Sequence, residues 1–278
     1  PLVRTFNGKT LETFLSKELT RKLNELCTTY NGSLFMGLMS ATLATFYRYT
    51  GQEDLILGTP VSGREHPDLE HQIGCYLNIL ALRNQIESKD SLKTLFKRVQ
   101  DTILEGYQHQ AYPFDLLIQE LELKRDTSRN ALLDVLITLQ NTGEKSSSPD
   151  ITKEEENSVR KVAEHGNKFD LDLVFEEVGD LISFKINYNS DVYTKEVVSR
   201  FMIHFRNLLS EMLSNQDSEI QTLNYLATDE ENKLLNEFNA TACASTNEKT
   251  IAEVFEKQVA DTPDKIALIF QNKELTLS

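Results

Sequence analysis

The sequence predicts a layered α/β sandwich, and three observations carry that reading. Helical stretches of 15 to 20 residues are interspersed with short apolar runs of strand length. Two such runs, residues 169–175 and 181–188, alternate apolar with polar side chains on either side of Val178-Gly179-Asp180, which reads as an antiparallel hairpin. Glycine and proline number only 11 and 6 in 278 residues, too few for a turn-rich all-β chain.

The elements follow in order. Residues 16–30 form a first helix, because Leu19, Leu23, Leu26 and Tyr30 recur at spacings of three and four on one face, and Asn31-Gly32 stops it. Ser33 caps a second helix over 33–49 that is apolar almost all round and is therefore expected to be buried. Residues 54–59 read as a short buried strand. A loop rich in proline, glycine and charge follows, then a second strand over 75–83. Residues 90–122 are helical with a break at Pro113, and 132–139 is strand-like. Residues 143–165 are polar and charged and are expected to form an exposed excursion. The hairpin and a strongly amphipathic helix over 194–213 complete the domain. Near Leu226 the character changes. Residues 226–262 carry eight acidic side chains against three basic ones. Helices over 229–238 and 250–259, a loop between them, and a strand ending at Phe270 mark a linker into a second domain.

Composition excludes several classes of function. With 43 acidic against 29 basic residues the formal charge is −14, so a general nucleic-acid binder is not expected. No apolar run approaches the ~20 residues of a membrane span. Cys27, Cys75 and Cys243 lie far apart with no CxxC pair, which indicates neither a disulfide framework nor a cysteine zinc site, and a reducing, cytoplasmic setting is expected. The five histidines (His66, His71, His109, His165 and His204) form no metal pair at helical spacing, so no metal is expected. Gly8-Lys9-Thr10 ends like a phosphate loop, but Val3 stands where the first glycine of that motif is required. From the residues alone no complete catalytic constellation emerges.

Longer motifs carry more. GTPVSGREHPDLEHQIGCYLNILALR has Gly58, Pro60, Gly63, Arg64, Ile73, Gly74, Asn78, Leu80, Leu82 and Arg83 at the spacing of G-x-P-x-x-G-R, I-G-x-x-x-N and L-x-L-R. HQAYPFDLLIQELELKRDTSRNALLDVLITLQN adds Tyr112-Pro113-Phe114 and the Arg125-to-Asn130 cluster. With KFDLDLVF and the helix after it, residues 1–225 resemble the condensation domains of nonribosomal peptide synthetases, from partway through the fold. Phe238-Asn239, Thr250-Ile251, Phe255-Glu256, Gln258, Thr262-Pro263-Asp264 and Ile266-Ala267-Leu268 resemble the linker and first strands of an adenylation domain, although Leu277 stands where that family usually has tyrosine.

The resemblance implies a chloramphenicol-acetyltransferase-like two-layer sandwich. It assigns 1–225 to the C-terminal, second lobe of a condensation domain, 226–248 to a linker and 249–278 to the truncated start of an adenylation domain. The family's H-H-x-x-x-D-G motif belongs to the first lobe and is absent here. The chain by itself is therefore expected to be inactive and to bind no cofactor. The intact parent would use 4'-phosphopantetheine on partner carrier domains, and ATP with Mg for adenylation.

Among site candidates, Asn78 sits in an apolar strand and either faces the substrate cleft or satisfies buried backbone. Arg64 is a cleft or carrier-phosphate candidate, or a loop arginine. Arg125, Asp126, Ser128, Arg129 and Asn130 are read as a structural knot in a loop bridging the lobes. The competing readings are a non-catalytic scaffold for carrier and adenylation domains, and a cyclisation variant of the same fold.

Overall fold

The computed structural model describes residues 2–64, 66–69, 71–124, 126–140, 158–162, 166–242, 250–271 and 273–276. Its contacts divide the chain into two units, Pro1–Ala227 and Thr228–Ser278. The first unit is built on a mixed seven-stranded sheet of order β3-β2-β4-β6-β7-β1-β5. The strands are β1 (Gly8–Leu15), β2 (Asp54–Val61), β3 (Asn78–Gln85), β4 (Val135–Gln140), β5 (Arg160–Lys161), β6 (Leu171–Val178) and β7 (Leu181–Asn189). β4 runs parallel to β2 and β6, and the other pairs are antiparallel.

Helices α1 (Lys17–Thr29), α2 (Leu34–Thr50), α3 (Leu92–Gln108) and α5 (Lys195–Ser214) cover one face, with the short α4 (Phe114–Glu120) beside β3. The alternation of β6 and β7 explains this layering. Leu171, Leu173 and Phe175, with Ile182, Phe184, Ile186 and Tyr188, point into the helical layer. There Phe175 and Phe184 stack at 4.6 Å and Phe205 of α5 closes on Phe184 at 4.7 Å. The other face is polar. Glu12 is buried on it, paired with Arg160 at 2.8 Å and accepting from the Ser183 hydroxyl at 2.8 Å. α2 is buried from Phe35 to Thr45, and its Ser40, Thr42 and Thr45 hydroxyls donate to carbonyls four residues back, which lets polar side chains sit in the core.

The hairpin of β6 and β7 turns at Gly179, as its sequence predicts. Several expectations change. β1 carries no expectation from sequence, yet it pairs with β7 along its whole length, Gly8 opposite Asn189 through Leu15 opposite Ile182. Thr13 on the helical side and Phe14 on the side of Glu12 break the apolar–polar alternation that identifies a strand, and the partner strand lies about 170 residues away. The 75–83 strand begins at Asn78 instead, because Cys75 to Leu77 belong to the loop before it. Of the excursion over 143–165, Arg160–Lys161 forms the edge strand β5 against β1, while residues 141–157 and 163–165 lie outside the described residues.

In the second unit, α6 (Thr228–Asn232) continues into a wider helical turn, Lys233–Glu237. α7 (Ile251–Asp261) and the two-stranded ribbon of β8 (Ile266–Phe270) and β9 (Lys273–Thr276) follow. None of its described residues is buried.

Candidate functional site

α4 begins at a proline. Pro113 supplies a suitable φ of −66° but no side-chain cap. The cap comes from elsewhere in the chain. Asn78, the first residue of β3, accepts from the Phe114 N–H at 3.1 Å. Its amide nitrogen donates to the carbonyls of Gln110 at 2.9 Å and Tyr112 at 2.7 Å. Both donors and the acceptor of this side chain are therefore spent on holding residues 110–114 against β3. Asn78, read from sequence as either a cleft residue or a structural one, has these bonds within its own chain.

Arg64 is committed in the same way. Its guanidinium donates to the carbonyls of Leu69 and Gly74, the second at 3.2 Å, and lies 4.6 Å from the Tyr76 ring centroid. Tyr76 in turn donates to Gln72 at 2.7 Å. Gly63 permits the bend. It has φ 63°, and a Cβ there would lie 2.0 Å from the Tyr76 carbonyl oxygen. The pinned loop displays Ile73 and Leu77 almost fully to solvent and frames a hollow of about 640 Å³ with Arg64, Tyr76 and Cys75 on its wall.

The third group lies between α4 and β4. Asp126, Arg129 and Asn130 line an open cavity of about 1190 Å³ together with Arg4, Ile118 and Lys124. Asp126 accepts from the Ser128 hydroxyl at 2.6 Å and from its N–H at 2.8 Å. These bonds, aided by Arg129 and Lys124, hold its carboxyl below the usual aspartate range. Arg129 pairs with Asp134, Nε to Oδ1 at 3.3 Å, and Asn130 donates to the Lys168 carbonyl at 3.1 Å. Ser128 thus acts through Asp126, and Arg125 lies outside the described residues. Left-handed backbone at Glu122 (φ 46°) and Leu132 (φ 70°) bounds the loop.

Sequence reasoning missed the opposite wall. Residues 2–5 run beside this loop, with the Arg4 N–H donating to the Thr127 carbonyl at 2.9 Å and the Thr127 hydroxyl to the Leu2 carbonyl at 3.3 Å. No motif marks residues 2–5, and their partners are about 125 residues distant.

Among the described residues no cluster could hold a metal ion, and no histidine lines either cavity. His204 is buried on α5 against Tyr49, and His66 stands in the loop 3.4 Å from Asp68. With Arg129 paired to Asp134, the described wall of the large cavity carries Arg4 and Lys124 against the carboxylate of Asp126, a small positive excess that favours an anionic ligand group.

The family model described as the condensation domain matches residues 1–235. Gramicidin S synthase 2 of Brevibacillus brevis is 35% identical over 277 residues, 99% of this chain and 6% of that protein. Tyrocidine synthase 3 of Brevibacillus parabrevis is 33% identical over 285 residues, 100% of this chain and 4% of that one. The chain therefore spans a small part of the curated relatives it matches. A crystal structure of a four-domain nonribosomal peptide synthetase bound to AMP and glycine superposes with a TM-score of 0.80 at 18% identity, over all of this chain and 22% of that one. The first condensation domain of the calcium-dependent antibiotic synthetase, in complex with a substrate analogue, gives 0.67 at 16% identity, over 81% of this chain and 49% of that one.

Proposed function

Because the chain belongs to the condensation-domain family of nonribosomal peptide synthetases, we propose that residues 1–225 are the C-terminal lobe of such a domain, 226–248 a linker, and 249–278 the start of an adenylation domain. The observation that carries this reading is the coverage of solved condensation domains. Four-fifths of this chain accounts for half of one. None of the described residues beyond Ala227 is buried, which supports the boundary.

Condensation domains form peptide bonds. In the intact parent, the amine of one carrier-bound aminoacyl thioester attacks the carbonyl of another. A C–N bond forms, the C–S bond breaks, and the thiol of the 4'-phosphopantetheine arm leaves. The histidine motif that serves the amine belongs to the other lobe, so this lobe supplies a wall of the cleft and binding groups. Arg4 and Lys124 on the rim of the large cavity suit the phosphodiester of a carrier arm. Asn78 shapes the turn that leads into α4, and Arg64 the loop that leads into β3. ATP and Mg find no fit among the described residues. Gly8-Lys9-Thr10 is the start of β1, paired to β7, and no group of carboxylate, histidine or cysteine side chains among the described residues could hold a metal ion. No step of adenylation is assigned to this chain. Its partners are carrier domains and the adenylation domain in cis, in the cytoplasm. No described helix is long and apolar enough to cross a membrane.

The test is reconstitution. The purified 278-residue chain is expected to show neither dipeptide formation from preloaded carriers nor ATP–pyrophosphate exchange, whereas the same lobe joined to a complete first lobe forms dipeptide. Turnover by the chain alone would overturn the assignment. Inactivity of the completed domain would favour the scaffold reading.

A further inference from the structure

The last residues of the first unit are tied down by side chains from two core helices. Ile220 is fully buried and Leu223 nearly so. The Ile220 N–H donates to the Asp90 carbonyl at 2.8 Å, and Glu219 bridges Ser91. Arg48, in the last turn of α2, donates through Nη1 to the carbonyls of Ile220, at 2.7 Å, and Gln221. The same guanidinium lies 4.9 Å from the centroid of the Tyr225 ring. That ring meets His204 of α5 edge-on at 5.0 Å and stands 6.2 Å from Tyr49 of α2. Tyr49 and His204 are themselves joined, Oη to Nδ1, at 2.6 Å. Asn207, one turn along α5, donates to the Tyr225 carbonyl at 3.1 Å.

Composition does not ask for this. A loop leaving a domain is ordinarily held by its buried apolar residues, and Ile220 and Leu223 already serve that purpose. The second set of ties grips main-chain carbonyls and a half-exposed tyrosine instead. It acts on residues 220, 221 and 225, immediately before the point where burial ceases, since no described residue from 228 to 276 is buried. Arg48 suits the role because one guanidinium nitrogen reaches two carbonyls while the planar face covers an aromatic ring.

We propose that Arg48, Tyr49, His204 and Asn207 form a clasp on Tyr225 that anchors residues 219–225 to α2 and α5, so that local opening of the chain beyond Tyr225 does not loosen the helices that roof the sheet. The inference rests on the fold and stands independently of the catalytic reading.

Hydrogen exchange on the whole 278-residue chain tests it, comparing the natural sequence with Arg48→Ala and Tyr225→Leu. In the natural chain, peptides spanning 219–225 are expected to exchange slowly and those spanning 228–232 quickly. In both variants the amides of Ile220, Thr222 and Leu223 are expected to exchange about tenfold faster or more, with β6 and β7 unchanged, as a local opening requires. Should Arg48→Ala fail to fold, Tyr225→Leu decides alone, because it keeps an apolar side chain and alters only the clasped segment. Fast exchange of 219–225 in the natural chain, or no acceleration in a folded variant, would overturn the proposal. So would equal loosening of β6 and β7, which would make the cluster ordinary core packing.

Discussion

Replacing Asn78 with alanine removes three hydrogen bonds at one stroke. Two donors to the Gln110 and Tyr112 carbonyls are lost, and so is the acceptor of the Phe114 N–H. The two carbonyls regain part of their bonding from water, since Tyr112 is exposed. The Phe114 N–H is only partly accessible and heads a helix whose own N-cap, Pro113, offers no side-chain acceptor. Loss of a helix cap typically costs about 1 kcal/mol, and the two further bonds about 0.5 kcal/mol each once water returns. The total is about 2 kcal/mol, which in a domain of this size lowers the melting temperature by about 4–8 °C. That differs from what a cleft-facing amide would do, since its loss would slow catalysis and leave stability alone. The assay is urea unfolding of the 278-residue chain with its alanine variant, together with single-turnover dipeptide formation in the completed domain. A stability change below about 0.5 kcal/mol with a slowed reaction would refute the capping argument and return Asn78 to the cleft.

Further outcomes are expected elsewhere. Asn84 is buried with its carbonyl oxygen unpartnered, so Asn84→Leu should raise unfolding stability by about 1 kcal/mol, and a loss instead would indicate a bound water or a tight cavity. Burial pushes the Asp172 carboxyl above its ordinary value of 3.8, against the bond from Asn187. A folded-state pKa raised in this way favours the fold at low pH and costs stability as pH rises through it. Asp172→Asn should therefore stabilise at pH 7 by an amount that vanishes below pH 3.8, measured by chemical unfolding across that range. Burial also raises the Cys27 thiol to about 11, whereas Cys75 is exposed. Iodoacetamide should label Cys75 in the folded protein and Cys27 only after unfolding, as peptide masses will report. Gly63→Ala places a methyl against the Tyr76 carbonyl and should free the Arg64 loop, read as faster tryptic cleavage after Arg64.

Local pattern carried much of the fold. α1, α2, α3 and α5 announce themselves by spacing and by Ser16, Ser33, Ser91 and Thr194 at their N-caps. The β6–β7 hairpin does so by alternation around Gly179. Segments that form the candidate site were legible as motifs, since Gly63, Arg64, Asn78 and residues 126–130 all stand out from their surroundings. What they bond to was not. Asn78 reads as an amide in want of a partner, and only the packing of α4 on β3 shows that its partners lie 32 to 36 residues on.

The sequence by itself therefore determined the class of the fold, most of its elements, the change of character near residue 226, and the family to which the motifs point. These rest on interactions within a turn or two of chain, where helix and strand periods are written directly into residue order. Tertiary structure alone decided the strand β1, the wall that residues 2–5 lend to the large cavity, and the grip of Arg48 on residues some 170 positions away. In each case the partner is chosen by the register of the seven-stranded sheet and the packing of helices on it. No local pattern encodes that choice, because the energy that selects it appears only when distant segments leave water together.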